Sequence, residues 1–293
     1  MNCLDHVIGE GFAAYHGDCV EVVSGLPDRS VDYSIFSPPF ASLYTYSNSP
    51  RDMGNCRNDE EFFAHFAHLI AELKRVMKPG RNVSFHCMLM PTSKERDGYI
   101  GLKDFRGDLI RAFQAEGFIY ASEVCIWKDP VTAMQRTKAL GLLHKTVRGN
   151  ASMSRQGIPD YLVTMRAPGE LPADDRVKHA PEDYPVSKWQ QVASPVWMDI
   201  DPGDTLQFRS AREHDDERHI CPLQLEVIRR GIDLWTNPGD VVLSPFMGIG
   251  SEGYVSLEMG RRFVGVELKS SYFGQATRNL QAALSQGGLF QAA

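Results

Sequence analysis

The segment Asp240-Val241-Val242-Leu243-Ser244-Pro245-Phe246-Met247-Gly248-Ile249-Gly250-Ser251 constrains this chain's fold more than any other. Its apolar start reads as a buried strand over 240–243, and its glycines make a tight turn into a helix over 252–259. Glycine tolerates positive φ and lets the backbone approach a ligand closely. Twenty-one residues after Phe246 stands Glu267, at the end of the next strand, 263–267. A carboxylate there can accept hydrogen bonds from both ribose hydroxyls of an adenosine-containing ligand, as in dinucleotide-binding α/β folds. Glycines placed for packing alone would give the same pattern. A dinucleotide turn fits less well, because Gly248-x-Gly250 has no third glycine at the fingerprint spacing. Phe246 stands where it could pack against apolar parts of a ligand.

The rest of the chain alternates short apolar runs with amphipathic segments, which predicts parallel α/β architecture. Strands are expected over 31–36, 82–89, 119–127 and 161–165. Helices are expected over 59–77, 105–116 and 223–235. The first of these carries Phe62, Phe63, Phe66, Leu69, Ile70, Leu73 and Met77 at helical spacing and stops at Lys78-Pro79-Gly80. Residues 168–218 hold six prolines and many acidic residues, and read as a small loop-rich insertion outside the repeating pattern. At 293 residues the chain accommodates one large catalytic domain, here 1–167 with 219–293, plus that insertion.

A second constellation lies near the other end. Gly17-Asp18 precedes a short helix, and the strand over 31–36 runs into Ser37-Pro38-Pro39-Phe40. Two consecutive prolines make a stiff turn and remove two backbone donors while keeping their carbonyls. A fixed carbonyl, a serine hydroxyl and an aromatic ring suit a planar heterocycle bearing an NH2 group. The oxygens accept its N–H bonds and the ring stacks on it. Taken alone, the segment also reads as an ordinary proline turn.

In this order, Gly17-Asp18, Ser37-Pro38-Pro39-Phe40, Ser244-Pro245-Phe246-Met247-Gly248-Ile249-Gly250 and Glu267 resemble the permuted, β-class DNA amino-methyltransferases. That family pairs an Asp/Asn/Ser-Pro-Pro-Tyr/Phe motif with a later Asp-Pro-Phe-x-Gly-x-Gly motif. The resemblance runs from about residue 15 to 280, and includes Lys78-Pro79-Gly80 and Gly260-Arg261-Arg262-Phe263-Val264-Gly265-Val266-Glu267. It implies a Rossmann-like, circularly permuted sheet that binds S-adenosylmethionine. It assigns Asp18 to the adenine amino group and Glu267 to the ribose, with Phe246, Gly248 and Gly250 along the methionine part. Two departures stand out. Ser244 replaces the usual Asp, and His219-Ile220-Cys221-Pro222 stands where the family has Lys-Pro; Arg209 and Arg218 are candidates for the missing cation.

The implied reaction is direct methyl transfer to the exocyclic amino group of a flipped base, with no covalent enzyme intermediate. Ser37 and the Pro38 carbonyl hold the amino group and Phe40 stacks on the base. Adenine N6 is the favoured target and cytosine N4 the alternative. A fold-retaining, inactive DNA-binding regulator is the rival from another class, which the Ser244 departure keeps open.

The net charge of −6 does not advertise a nucleic-acid binder, yet residues 131–158 contain no acidic residue. They carry Arg136, Lys138, Lys145, Arg148 and Arg155, a pattern suited to phosphate contacts and equally to a solvated basic face. Tyr44, Tyr46 and Arg51 follow the Ser-Pro-Pro-Phe turn, so the loops 41–58 and 130–159 are expected to face double-stranded DNA, with 168–218 as the target-recognition region. Trp189 and Trp197 serve that recognition or else form the insertion's own core. The six cysteines include no C-x-x-C pair, so zinc is not expected, and the scattered thiols suit a reducing cytoplasm. Residues 1–5 lack the features of a secretory signal, and no uncharged run nears the roughly 20 residues of a bilayer span. By resemblance the chain forms a homodimer, for which the aromatic-rich stretch Phe62 to Phe66 offers indirect support.

Overall fold

The computed structural model describes residues 2–40, 52–131, 144–153, 156–207 and 222–291. It opens on a hairpin of β1 (Asp5–Gly9) and β2 (Phe12–His16), followed by α1 (Cys19–Ser24) and β3 (Val31–Phe36). Next come α2 (Asp59–Val76), β4 (Met77–Met88), a small pair β5 (Met90–Pro91) and β6 (Leu102–Lys103) around α3 (Lys94–Asp97), then α4 (Phe105–Ala115). After β7 (Ile119–Ile126) come α5 (His144–Asn150), β8 (Asp160–Arg166), α6 (Val186–Ala193) and β9 (Val196–Trp197). The chain ends with α7 (Leu225–Trp235), β10 (Val241–Ser244), α8 (Ser251–Glu258), β11 (Arg262–Glu267) and α9 (Ser270–Gln291).

The main sheet has the order β1-β2-β11-β10-β3-β4-β8-β7-β9. From β2 to β4 all neighbours are parallel, and β8 runs antiparallel to both β4 and β7. The strands read last, β10 and β11, therefore lie in the middle, between the N-terminal β2 and β3. This arrangement places the carboxyl ends of β2, β11, β10, β3 and β4 along one rim, where open α/β sheets bind ligands.

Helices cover both faces. On one, α1, α2 and α4 bury Phe36, Phe62, Phe66, Leu69, Phe85 and Phe113 in one apolar cluster. On the other, α7, α8 and α9 bury Tyr33, Ile35, Val227, Ile232, Phe263 and Leu280. Strand β3 is buried at every position, as a central parallel strand must be. Helix α2 forms readily: Asn58 caps it by accepting from Glu61 N, acidic residues fill its first turn, and Lys74 and Arg75 fill its last.

The opposite rim carries a buried charge network. Asp32 Oδ1 lies 2.9 Å from Arg81 Nη2 and 2.6 Å from Lys78 Nζ, and Asp32 Oδ2 accepts from Val241 N at 2.9 Å. Arg81 also reaches Asp240 Oδ2 at 2.9 Å. Asp32 and Arg81 are both almost fully buried.

The expected elements are present with small shifts. Helix α2 ends at Val76, and β4 begins at Met77, because the residue before Pro79 disfavours helical backbone. The segment from 168 is loop-rich as expected, yet it also joins the sheet. Val196 and Trp197 pair in parallel with Cys125 and Ile126 of β7. Trp197 is buried in the α7-side core, with the Arg230 guanidinium 5.0 Å from its ring centroid, whereas Trp189 is 55% exposed. The aromatic stretch of α2 has no surplus: Phe62 and Phe66 are fully buried and Phe63 packs on Phe62 and Phe105. It therefore lends no support to a dimer.

Candidate active site

The β10 strand ends at Ser244, and the glycine turn begins at once. Gly248 has φ +52 and Gly250 φ +88, a region that disfavours residues with a Cβ. At Gly250 a Cβ would also press to 3.2 Å of Ala276 in α9. This turn delivers Gly248 N to Glu267 Oε2 at 2.9 Å, while Lys269 N donates to Oε1 at 2.8 Å. Burial lifts the Glu267 carboxyl to about 7, against the lowering effect of the backbone donors of Lys269, Gly248 and Leu268.

Gly17 N donates to the Glu267 carbonyl at 2.9 Å, which ties the end of β2 to the end of β11. Asp18 is the next residue after this tie. Its Oδ1 accepts from Val20 N and Glu21 N at 2.9 and 3.0 Å and caps α1. Phe246 is only partly buried, and its ring leans on Phe36 and Phe66, with centroids at 5.7 and 6.5 Å. It props the turn on the core.

Three buried polar groups gather around this turn. The Ser244 and Ser251 hydroxyls are buried without a hydrogen-bond partner among the described residues. Glu252, 4% exposed, is the second residue of α8, and its carboxyl is raised to about 8 by burial and then by the nearby Glu267 charge. Neither Ser251 nor Glu252 stands out as a site residue in the sequence. An acidic residue directly after a glycine turn, on an otherwise apolar helix start, is the available signal. Buried polar groups are normally paired, so the two unpaired hydroxyls call for an explanation.

The second constellation lies on the same rim. β3 ends at Phe36, and Pro38 is buried. The Phe40 ring is half-buried and 6.1 Å from that of Phe105. Ser37 Oγ lies 3.2 Å from His86 Nδ1 on β4. His86 Nε2 lies 3.0 Å from Asp160 Oδ2 at the start of β8, and Lys128, just after β7, pairs with the same oxygen. Burial alone would raise the Asp160 carboxyl, but His86 and Lys128 hold it below the usual carboxylate value. The sequence singles out neither His86 nor Asp160. A histidine inside the apolar run Val83-Ser84-Phe85-His86-Cys87 is the only hint.

Of the basic residues expected to meet DNA, Lys145 and Arg148 are exposed on α5. Tyr44, Tyr46, Arg51, Arg136, Lys138 and Arg155 lie outside the described residues, as do Arg209, Arg218, His219 and Cys221. Among the described residues no group of His, Cys, Asp or Glu could hold a metal ion, and no helix is long and apolar enough to cross a membrane.

Known proteins resemble this chain over most of its length. A family model described as DNA methylase matches residues 31–278. The chain is 26% identical over 263 residues to the type II methyltransferase M.BglII of Bacillus subtilis, across 88% of this chain and 66% of that protein. It is 25% identical over 276 residues to the DNA adenine methyltransferase YhdJ of Escherichia coli strain K12, across 92% and 82%. The chain thus spans about two thirds of the first relative's length. Two solved structures share the fold. The cytosine-N4-specific PvuII DNA methyltransferase superposes with a TM-score of 0.66 at 14% identity, covering 94% of this chain and 92% of that one. The DNA modification methylase TTHA0409 of Thermus thermophilus, in complex with S-adenosyl-L-methionine, gives 0.64 at 20%, covering 92% and 94%.

Proposed function

The chain belongs to the N6/N4 DNA methylase family, and from that premise we propose that it transfers a methyl group from S-adenosylmethionine to the exocyclic amino group of a flipped base in double-stranded DNA. One observation carries the reading. The carboxyl ends of adjacent parallel strands bring Ser37-Pro38-Pro39-Phe40 and the glycine turn with Glu267 to a single rim.

The residues present fit the cofactor. S-adenosylmethionine carries an ammonium, a sulfonium and hydroxyl donors. The rim offers acidic Asp18, Glu252 and Glu267 and the unpaired Ser244 and Ser251 hydroxyls. Glu267 takes the ribose hydroxyls. Asp18 takes the adenine amino group, and Gly248 and Gly250 let the methionine part approach, with Phe246 supporting the turn. The cofactor supplies an electrophilic methyl group on sulfur. Ser37 and the Pro38 carbonyl accept the target N–H bonds, and Phe40 stacks on the base and holds its nitrogen in line with that methyl.

We take adenine N6 as the target, with cytosine N4 as the alternative; mass spectrometry of nucleosides from methylated DNA distinguishes them. Residues 168–218, with loops 41–58 and 130–159, are proposed to read and grip the DNA. A homodimer is proposed by resemblance, and a cytoplasmic setting suits a DNA substrate and the free cysteines among the described residues. The central test is Ser37→Ala and Phe40→Ala. Both should keep cofactor affinity by calorimetry. In Phe40→Ala the missing stacking, about 1 to 3 kcal/mol, should slow single-turnover transfer more than it weakens DNA affinity. Wild-type transfer rates in both would place the chemistry elsewhere. Failure to bind S-adenosylmethionine at all would favour the inactive regulator.

A further inference from the structure

Ser37, His86, Asp160 and Lys128 form a row across four neighbouring strands, β3, β4, β8 and β7. The register explains the row. His86 pairs with Leu162, so Asp160, two residues away on β8, faces the same side diagonally. Ile126 pairs with Asp160, and Lys128 lies two residues beyond Ile126. Asp160 is buried, and Lys128 and His86 approach the same carboxylate oxygen.

We propose that His86 is a positioning residue for methyl transfer, whose orientation by Asp160 makes the Ser37 hydroxyl point its proton inward and its lone pairs toward the target amino group. This rests on the assignment of Ser37 to the active site. A neutral imidazole has one donor nitrogen and one acceptor nitrogen. A carboxylate can only accept, and Asp160 Oδ2 at 3.0 Å is the charged partner of His86 Nε2, which makes no hydrogen bond among the described residues. The ring proton therefore sits on Nε2, toward Asp160, and Nδ1 is left as an acceptor. Among the described residues, the donor at 3.2 Å from Nδ1 is the Ser37 hydroxyl. Once its proton is committed there, Ser37 Oγ offers the pocket lone pairs alone.

An unsupported serine can rotate and present either a proton or a lone pair. A presented proton would bond the target nitrogen's own electron pair, the pair needed for attack on the methyl group. The His86–Asp160 pair removes that orientation. In this chain it gives a serine the acceptor-only character that a carboxylate has by itself. Lys128 balances the Asp160 charge, so the row adds no net charge beside a cationic cofactor.

The test is a double-mutant cycle in single-turnover methylation, read with cofactor affinity and melting temperature. His86→Ala should slow transfer by about 10- to 100-fold, as loss of an orienting partner does elsewhere, with cofactor affinity unchanged. In a Ser37→Ala background the same change should cost less than about threefold, because the two act as one unit. His86→Asn, whose amide oxygen can stand in for Nδ1, should recover most of the rate. Independently of activity, 15N spectra of the free protein should show the His86 proton on Nε2, with the resonances assigned by their loss in His86→Asn. The inference falls if His86→Ala transfers at the wild-type rate while Ser37→Ala is slow, if the two changes are fully additive, or if the proton sits on Nδ1. A wild-type rate in Ser37→Ala would instead overturn the assignment of the active site itself, and this inference with it.

Discussion

The two rims of the central sheet bury different kinds of polar group. Where the parallel strands begin, Asp32 meets Arg81, Lys78 and Val241 N, and Arg81 continues to Asp240, although Arg81 Nε and Asn82 Oδ1 have no partner among the described residues. Where they end, the Ser244 and Ser251 hydroxyls have no partner among the described residues, and burial lifts the Glu252 carboxyl to about 8. Both rims are buried, so burial does not explain the difference. Paired charges suit a place where nothing must bind, whereas uncompensated hydroxyls and a raised carboxyl suit a place where a ligand arrives. The two rims thus differ in what is buried: compensated charges at one, and hydroxyls beside a raised carboxyl at the other.

If the comparison is right, damage to the charge-paired rim should cost folding and spare binding. Asp32→Ala leaves Arg81 buried beside fewer counter-charges, and such a break costs about 3 to 5 kcal/mol. Chemical denaturation should read that loss, and calorimetry on the folded protein should give wild-type cofactor affinity. A stability change below about 1 kcal/mol would mean that the network is replaceable.

The chemical rim should behave in reverse, because its carboxyl is destabilising when charged. The Glu252 value rises from 4.5 to about 8 on folding. A raised folded value favours the protonated native state, so its stabilising contribution is full below pH 4.5 and is lost as pH rises to 8. At about 1.4 kcal/mol per unit, the stability of the wild-type protein relative to Glu252→Gln should fall by up to about 4 kcal/mol between about pH 5 and about pH 8. Parallel pH profiles of the two proteins in denaturant would contradict the assignment.

Glu267→Ala should weaken S-adenosylmethionine binding by about 1 to 3 kcal/mol, the worth of hydrogen bonds to a charged group. Unchanged affinity would remove Glu267 from the ribose. The smallest effect is expected outside both rims. Lys145→Gln with Arg148→Gln should reduce the salt dependence of DNA binding by roughly one unit of slope for each phosphate that is no longer neutralised. An unaltered slope would make that exposed face of α5 a solvated one.

Legibility from sequence followed the strength of local signals. β3 was legible to the residue, since Val31, Tyr33, Ile35 and Phe36 form a short apolar-rich run bounded by Asp28-Arg29-Ser30 and by Pro38-Pro39. The β1–β2 hairpin was not, because Asp5–Gly9 is short and half-exposed at the sheet edge. Strand β9 is two residues long and exists only through its pairing with β7, so no periodicity could announce it.

The sequence by itself determined the alternating α/β elements, the glycine turn, Glu267, Asp18 and the Ser37-Pro38-Pro39-Phe40 end of β3, because each is written in neighbouring residues through backbone preference and period. Only the tertiary structure decided what meets across strands. Ser37 and His86 are 49 residues apart in the chain and 3.2 Å apart in space. Asp160 reaches His86 through strand register. Whether a buried hydroxyl such as that of Ser244 finds a partner depends on every neighbour packed around it. Register and packing are properties of pairs of segments, and no single segment's composition encodes them.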